Sequence, residues 1–262
     1  MNKIGQSENL HGASKKDIHV HPITRVIDDI NKIFFELGFT LIDGPELETE
    51  YYNFDALNVP KDHPARDMQD TFWIKPEGNN PGVERKLLRT QTSAMQVHFM
   101  EKNKPPFRII CPGKTYRKEA TDATHEMQFQ QCEGLYVDKD VSLTTLKTVL
   151  NHFFDRFFEK DVDIRFRPSY FPFVEPGVEI DISCFNCKGG EAGCPICKGT
   201  GWVEVMGAGM VHPKVLNTVG INSNEWRGFA FGVGVERLAM LKYGIDDIRL
   251  FNSGDLRLVN QF

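Results

Sequence analysis

The stretch from Phe107 to Val137, FRIICPGKTYRKEATDATHEMQFQQCEGLYV, predicts two strands joined by a long polar loop. The first strand is the apolar run up to Cys111, and we expect Pro112-Gly113 to end it. Alternate residues of the second strand face the same way, and that face carries Phe129, Gln131, Glu133, Leu135 and Val137. Polar groups on an otherwise apolar face need a partner, which a bound polar ligand can provide.

The loop between these strands contains Arg117-Lys118-Glu119 and ends at His125. An arginine offers five donors in a planar fork that suits phosphate. Charge alone would favour an exposed hairpin with a solvated tip. The residues therefore leave two interpretations open, a solvated tip and an anion-binding loop.

The order of residues in the loop favours the second interpretation. Tyr116-Arg117-Lys118-Glu119 between antiparallel strands resembles motif 2 of the class II aminoacyl-tRNA synthetases, an aromatic residue, Arg, any residue and Glu. The longer string PGKTYRKEATDATHEMQFQQCEG is similar to the bacterial phenylalanyl-tRNA synthetase α-subunit family almost residue for residue. The resemblance covers about residues 20 to 262. It implies an α+β fold, an antiparallel sheet flanked by helices.

Composition sets limits on the function. The chain has 262 residues, of which 40% are hydrophobic and 26% charged, as in ordinary soluble globular proteins. No apolar run is long enough to cross a bilayer, and the N-terminal sequence lacks the apolar core of a secretory signal. A cytoplasmic location is expected. The net charge of −5 argues against binding nucleic acid through a broad basic face.

The N-terminal part predicts a polar leader over residues 1–20, then an amphipathic helix and a strand. Apolar residues recur at helical spacing after Pro22, and Gly38 is a stop signal. Phe39 to Ile42 is the expected strand, and the helix–strand unit resembles motif 1 of the class. The family usually begins with a coiled-coil arm that contacts tRNA. No heptads precede residue 20 here, which leaves open whether the chain is shortened or naturally lacks that arm. The catalytic domain is expected over residues 21–262.

Three further segments carry candidate substrate contacts. In the loop-rich stretch Asn53 to Pro81, only Thr71 to Ile74 predicts a strand, and its Trp73 is either core or pocket. Leu87 to Met100 predicts a strand end and a helix with Thr92 or Ser93 as N-cap. Ser93 and Gln96 would share one side of that helix, and the resemblance implies that they help to hold the substrate's ammonium group.

A second amphipathic helix is predicted over Val141 to Lys160, followed by a strand over Asp163 to Arg167. Phe171 and Phe173 then project the same way from an extended segment. Composition alone makes them core residues, whereas the resemblance implies that they flank the bound phenylalanine ring. Glu175 resembles a family position that binds magnesium jointly with the β subunit.

Six cysteines divide into two kinds. Cys111 and Cys132 stand alone and are expected to be buried. Cys184-x2-Cys187-x6-Cys194-x2-Cys197 is a paired CxxC that supplies four soft ligands for tetrahedral zinc. Disulfides or free thiols are the alternatives, and iron is not separated from zinc by the spacing. We expect a structural zinc insertion over residues 184–201, since four thiolates leave no position for a reacting water.

The string GFAFGVGVERL predicts a strand, a glycine-rich turn and a helix. Gly-Val-Glu-Arg entering a helix resembles motif 3 of the class, whose arginine, here Arg237, binds the γ-phosphate of ATP. Ala230 corresponds to a position that sets the depth of the amino-acid pocket.

The resemblance implies a phenylalanine–tRNA ligase. Phenylalanine would react with ATP in the presence of magnesium, and the acyl group would pass to the terminal adenosine of tRNA(Phe). Expected partners are a β subunit, in a heterotetramer of two α and two β subunits, together with tRNA, ATP and phenylalanine. Implied catalytic and ATP-binding residues are Arg117, Glu119, His125 and Arg237. Implied phenylalanine contacts are Trp73, Ser93, Gln96, Gln131, Glu133, Phe171, Phe173 and Ala230. Implied metal ligands are Glu175 for magnesium and Cys184, Cys187, Cys194 and Cys197 for zinc.

Two other function classes remain as alternatives. One is a synthetase-like protein that binds an amino acid or RNA without ligating them, although such relatives usually lose the motif arginines that are present here. The other is a zinc-dependent nucleic-acid-binding module, for which a basic face would be expected.

Overall fold

The computed structural model describes residues 19–63, 71–75, 84–187 and 189–262. The strands in this part of the chain are β1 (Thr40–Leu41), β2 (Leu47–Thr49), β3 (Lys86–Leu88), β4 (Phe107–Tyr116), β5 (Gln128–Asp138), β6 (Ile164–Phe171), β7 (Val174–Ser183), β8 (Trp202–Val211) and β9 (Arg227–Gly234). The helices are α1 (Pro22–Glu36), α2 (Glu50–Asn53), α3 (Ser93–Lys102), α4 (Leu143–Phe158), α5 (Pro213–Thr218), α6 (Val235–Tyr243) and α7 (Leu256–Val259). Short 3-10 helices cover Asp55–Leu57 and Ile248–Asn252. Among the described residues, no helix is long and apolar enough to cross a membrane.

The centre of the fold is a seven-stranded sheet in the order β1-β4-β5-β9-β8-β7-β6. All neighbours are antiparallel except β1 and β4, where Thr40 lies opposite Ile109 in a parallel pair. The predicted antiparallel sheet flanked by helices is confirmed, and its edge pair makes the sheet mixed. Strands β2 and β3 form a separate two-stranded sheet.

Helix α1 begins and ends as its sequence predicts. Pro22 occupies the first turn, and the side chain of His21 accepts a hydrogen bond from the backbone N–H of Ile23 at 3.2 Å. Gly38 follows the helix with φ +79°, a backbone conformation that residues with a Cβ rarely adopt. The predicted strand after it is shorter than expected, because only Thr40 and Leu41 pair with β4.

The β4–β5 hairpin runs farther than the sequence predicts. Its register extends from Phe107 opposite Val137 to Tyr116 opposite Gln128, so Pro112-Gly113 does not end the strand. Beyond Ile110, β4 has no strand partner on its other side among the described residues, and a proline is tolerated on such an edge. Gly113 permits a close approach, since a Cβ there would lie 2.2 Å from Nη2 of Arg89.

The two faces of the sheet have different roles. Helices α1, α4 and α6 cover one face, where the ring of Phe34 stacks on Phe153 at 4.9 Å and on Phe231 at 5.1 Å between centroids. On the opposite face, Gln131 lies opposite Gly234, Glu133 opposite Gly232 and Leu135 opposite Ala230. Small residues on β9 therefore leave open space beside the polar residues of β5.

Several predicted boundaries need correction. Thr71 to Ile74 is not a strand, because only Trp73 forms a bridge, to Leu87. The strand predicted to end at Arg167 continues to Phe171. Pro172 and Phe173 form a turn into β7 instead of an extended segment. Of the predicted leader, residues 1–18 lie outside the described residues, whereas Nδ1 of His19 is 2.9 Å from the backbone oxygen of Phe262.

Candidate active site

A cleft on the open face of the sheet consists of two adjoining cavities. The first, here called the apolar cavity, has a volume of about 760 Å³, and the second, the charged cavity, about 840 Å³. Arg117, Gly234 and Arg237 line both. The cleft therefore joins the end of β4, the end of β9 and the start of α6, which are the segments that the sequence singles out.

Glu133 is the central polar group of the apolar cavity. It is 5% exposed, and Oε2 accepts hydrogen bonds from Oγ of Ser93 and, at 3.1 Å, from Nε2 of Gln96. Burial raises the pKa of this carboxyl to about 7. The i, i+3 spacing of Ser93 and Gln96 on α3 lets both reach one carboxylate.

The predicted helix cap is confirmed in its position but not in its hydrogen bond. Thr92 occupies the N-cap position of α3, but its side chain makes no capping hydrogen bond, and the hydroxyl of Ser93 is used by Glu133. Ser93 acts here as a donor, because a buried carboxylate needs donors, whereas a capping hydroxyl would act as an acceptor for the N–H groups of the first turn.

Gln131 is the neighbour of Glu133 on the same face of β5. Its Oε1 is buried and has no hydrogen-bond partner among the described residues. A buried carbonyl oxygen without a donor is rare in a folded protein. Beside a buried carboxylate, it fits a ligand group that is both a cation and a hydrogen-bond donor, such as an ammonium.

The far end of the apolar cavity is hydrophobic. The rings of Phe171 and Phe173 stack with centroids 6.0 Å apart and planes at 24°, and Ala230 lines the same cavity. The turn that carries Phe173 is held by Nδ2 of Asn58, which donates to the backbone oxygen of Pro172 at 2.6 Å. This end can enclose a flat apolar group.

The charged cavity contains the remaining predicted nucleotide contacts. Arg117 lies over the ring of Phe129, with its guanidinium carbon 5.2 Å from the ring centroid. Nη1 of Arg117 is 4.0 Å from Oε1 of Glu119. Nη2 of Arg237 donates to the backbone oxygen of Glu204 at 3.4 Å. His125 pairs with Asp122 at 3.0 Å and is exposed. Two arginines and a histidine around one space suit a polyanion.

Two predicted site residues lie elsewhere. Trp73 lines neither cavity, and its ring packs on Phe54 and under the guanidinium of Arg85 at 3.6 Å. Glu175 also lies outside the cleft. Its side chain is 73% exposed and 3.2 Å from Nε2 of His212.

The structure adds three carboxylates that the sequence did not single out. Glu179 and Glu204 line the apolar cavity, and Arg167 pairs with both at 2.8 Å. Glu236 is buried in the charged cavity and accepts from the backbone N–H of Gln130. An acidic residue directly before the motif arginine was the available signal for Glu236. The strand positions of Glu179 and Glu204 gave none, because charged residues are common on exposed strand faces.

The four clustered cysteines lie between β7 and β8. Their sulfur atoms are all within 4.8 Å of one another, with Cys184 to Cys194 at 3.8 Å and Cys187 to Cys197 at 3.4 Å. A disulfide would require about 2.0 Å, whereas tetrahedral thiolates around zinc stand about 3.8 Å apart for bonds of about 2.3 Å. Backbone N–H groups, first that of Gly189, lower the pKa of the Cys187 thiol to about 6. The group can hold a metal ion.

Comparisons with known proteins relate the chain to one family. The family model described as "tRNA synthetases class II core domain (F)" matches residues 7–262. The phenylalanine–tRNA ligase α subunit of Dehalococcoides mccartyi is 57% identical over 93% of this chain and 69% of the relative. That of Geobacillus thermodenitrificans is 56% identical over 97% and 71%, and that of Bacillus subtilis 55% over 92% and 68%.

A solved structure shares the fold. The pyrrolysyl-tRNA synthetase of Desulfitobacterium hafniense superimposes with a TM-score of 0.63 at 16% identity, covering 87% of this chain and 71% of that one. At this identity the likeness concerns the fold alone.

Proposed function

The chain belongs to the class II aminoacyl-tRNA synthetases, in the family of phenylalanine–tRNA ligase α subunits, and on this basis we propose how its residues carry out that reaction. The protein activates phenylalanine with ATP and, with a β subunit, transfers it to the terminal adenosine of tRNA(Phe). One observation carries the proposal for the amino-acid site. Buried Glu133 and the unpartnered Oε1 of Gln131 stand together in a cavity whose other end is aromatic.

The amino acid would bind with its two ends in contrasting surroundings. Its ammonium group donates to Glu133 and Gln131, and Ser93 and Gln96 hold the carboxylate of Glu133 in place. The phenyl ring lies against Phe171, Phe173 and Ala230. The amino acid's own carboxylate then points toward Arg117, which borders both cavities. Trp73 is proposed to act on the amino-acid site indirectly, because it packs in the same apolar cluster as Leu57 and Phe173, which line the cavity.

Activation joins this carboxylate to the nucleotide. A carboxylate oxygen attacks the α-phosphorus of ATP, the bond to the bridging oxygen breaks, and pyrophosphate leaves. We assign Arg117 to the α-phosphate, and His125 and Arg237 to the β- and γ-phosphates. Glu119 contacts the adenine. These groups position the reactants and neutralise the charge of the transition state, so no covalent enzyme intermediate is needed.

Transfer follows at the same site. In this family the 2′-hydroxyl of the terminal adenosine attacks the carbonyl carbon of phenylalanyl-adenylate. An ester bond forms, AMP leaves, and the hydroxyl proton is released. The chain would hold the adenylate through the same Glu133 and Arg117 contacts.

Magnesium would neutralise phosphate charge when it binds with ATP. Glu175 is exposed and outside the cleft, so it suits an ion at the border with another chain and not one bound inside the cavities. We propose Glu175 as a ligand of a magnesium ion that the β subunit completes, in a heterotetramer of two α and two β subunits located in the cytoplasm.

We propose that Cys184, Cys187, Cys194 and Cys197 bind a structural zinc ion. These cysteines belong to an insertion over residues 184–201. The insertion is part of a catalytic domain over residues 21–262. Four sulfur ligands at this spacing suit zinc and leave no open position for catalysis, and iron would fit the same four thiolates. Elemental analysis of the purified chain would give one zinc per chain. Iron in its place would overturn the assignment.

The test of the function is phenylalanine-dependent exchange of pyrophosphate into ATP, with the chain alone and with its β subunit. We expect exchange with phenylalanine, much less with tyrosine, and a loss of at least about a hundredfold in Arg117→Ala. Exchange only with the β subunit would mean that the chain supplies the residues but not a competent site. A folded, zinc-containing complex without exchange would point to a non-ligating binder.

A further inference from the structure

The cysteine insertion contributes one wall of the charged cavity. Pro195, Ile196 and Lys198 line this cavity together with Arg117, His125 and Arg237. These three residues lie within or directly after the second CxxC pair, so the loop whose cysteines can hold a metal also lines the cleft.

A backbone hydrogen bond connects Lys198 to one of the four cysteines. The N–H of Lys198 donates to the backbone oxygen of Cys194 at 2.9 Å, and its φ of +51° lies in the left-handed region. That conformation is uncommon for a residue with a Cβ and is kept where the surrounding structure fixes it. The position of Lys198 is therefore set by the turn that brings Cys194 and Cys197 to one point.

The charges that line the cavity indicate what Lys198 can bind. Arg117, Arg237 and Lys198 are opposed by the carboxylates of Glu119, Glu126, Glu236 and Asp246, which also line the cavity. The pKa of Glu236 is raised to about 7 by burial, which reduces its negative charge. Lys198 is exposed and lines the same cavity as the two arginines, so it gains nothing from their charge, whereas a polyanion bound in this cavity would attract all three.

We propose that the cysteine loop is part of the nucleotide site, that Lys198 contacts the polyphosphate of ATP, and that metal retention and ATP binding stabilise one another. The inference rests on the proposed function and deepens it. A metal at the cysteines fixes the loop and with it Lys198. Conversely, ATP bound to Lys198 holds the loop closed around the metal.

Reciprocity makes the coupling measurable from either side. If the metal increases the affinity for ATP by some factor, ATP must increase the affinity for the metal by the same factor. An exposed lysine contact places that factor at the low end of such couplings, about fivefold. AMP lacks the β- and γ-phosphates and should show little of the effect.

The first experiment measures the zinc affinity of the full chain, with its β subunit, by equilibrium competition with a chromogenic chelator. A nonhydrolysable ATP analogue should raise the zinc affinity about fivefold relative to no nucleotide, and AMP should not. In Lys198→Ala the analogue should lose its effect, and Lys198→Arg should restore it. Equal zinc affinities with and without the analogue would overturn the proposal, as would a chain that binds no metal.

The second experiment measures ATP affinity by calorimetry and the KM values in the exchange reaction. Lys198→Ala should weaken ATP binding about fivefold and leave the KM for phenylalanine unchanged. Lys147→Ala is the matched control, since Lys147 is exposed on α4 and lines neither cavity. Unchanged ATP affinity in Lys198→Ala would contradict the inference.

The two proposals fail in different ways. Phenylalanine-dependent exchange, together with a zinc affinity that does not change with ATP, would support the ligase proposal and contradict the coupling between metal and ATP. A zinc affinity that rises with the ATP analogue, without any exchange, would support the coupling and contradict the ligase proposal.

Discussion

The backbone N–H of Gln130 lies 2.8 Å from Oε1 and 2.9 Å from Oε2 of Glu236, so one carboxylate accepts it with both oxygens. Gln130 precedes Gln131 of the apolar cavity, and Glu236 precedes Arg237 of the charged cavity. This contact holds the start of β5 against the start of α6. Together with the pairing of Gln131 and Gly234, it connects the residues that we assign to the amino acid and to ATP.

Glu236→Ala should therefore lower both the free energy of unfolding and the rate of the exchange reaction. It leaves a part-buried N–H without this acceptor, which costs about 1 kcal/mol, and urea unfolding would measure this loss. Glu236→Gln keeps an acceptor oxygen and should recover most of the stability. Equal stability of Glu236→Ala and the wild type would contradict this role.

The protonation of Glu133 is expected to set the pH dependence of kcat/KM for phenylalanine. Because its pKa is about 7 in the free protein, the carboxyl is neutral at lower pH and loses its attraction for an ammonium group. The kcat/KM for phenylalanine in exchange should rise with pH up to about 7 and then level. In Glu133→Gln that limb should vanish and the plateau should fall by at least tenfold, about the loss of one charge-assisted hydrogen bond.

The raised pKa of Glu133 also predicts that the free energy of unfolding falls with pH, whereas the kcat/KM for phenylalanine rises. Its pKa is raised from 4.5 to about 7 on folding, so the folded state binds the proton more tightly and the free energy of unfolding falls as pH rises between these values. Above pH 7 the contribution stays constant. Glu133→Gln should thus gain stability relative to the wild type between pH 5 and about 7, by up to about 3 kcal/mol at 1.36 kcal/mol per pKa unit. A pH-independent difference in urea unfolding would refute it.

Gly232 is expected to control the geometry of the amino-acid site. A Cβ at this position would lie 3.0 Å from Cγ of Glu133 and 3.4 Å from Nε2 of Gln131. Gly232→Ala should displace both and raise the KM for phenylalanine by about tenfold, while the KM for ATP stays nearly constant.

Gly228→Ala is the matched control for this change. Gly228 is on the same strand and is equally crowded, since a Cβ would lie 3.0 Å from the backbone oxygen of Tyr136, but it does not line the cleft. It should lower the melting temperature without changing the KM for phenylalanine. The same KM change in both variants would show that general strain is the cause.

Arg89 is expected to make a large contribution to the free energy of unfolding. It is 1% exposed, and its guanidinium donates to the backbone oxygens of Lys114 at 2.8 Å, Gly44 at 3.1 Å and Pro45 at 3.2 Å. Arg89→Met leaves three acceptors unpaired and should cost at least about 3 kcal/mol in urea unfolding. Arg108→Met, at an exposed arginine that also donates to a backbone oxygen, should cost about 1 kcal/mol.

The hairpin and its polar face could be predicted from the sequence because both depend on local alternation. Gln131, Glu133 and Leu135 share a face whatever the rest of the chain does, and the motif strings placed Arg117 and Arg237 near one site. The helices over Pro22–Glu36 and Leu143–Phe158 were also predictable, since apolar spacing and capping residues lie close together in sequence.

The remaining features depend on contacts between distant segments. Pro112-Gly113 is usually a stop signal, but here an edge position tolerates the proline and the packing of Arg89 uses the glycine. Ser93 gave a good capping signal, yet a buried carboxylate 40 residues away uses its hydroxyl. Lys198 reaches the cleft only because the cysteine loop folds back over it.

The order of strands has a consequence for how the protein is made. Strand β9 lies between β5 and β8, although it is the last strand of the sheet in sequence. On the ribosome, β4–β5 and β6–β7–β8 can emerge only as two separate half-sheets, each with an unpaired edge. Such edges can pair with other chains. We expect nascent chains stalled before residue 227 to depend on chaperones, and release of β9 to end that dependence.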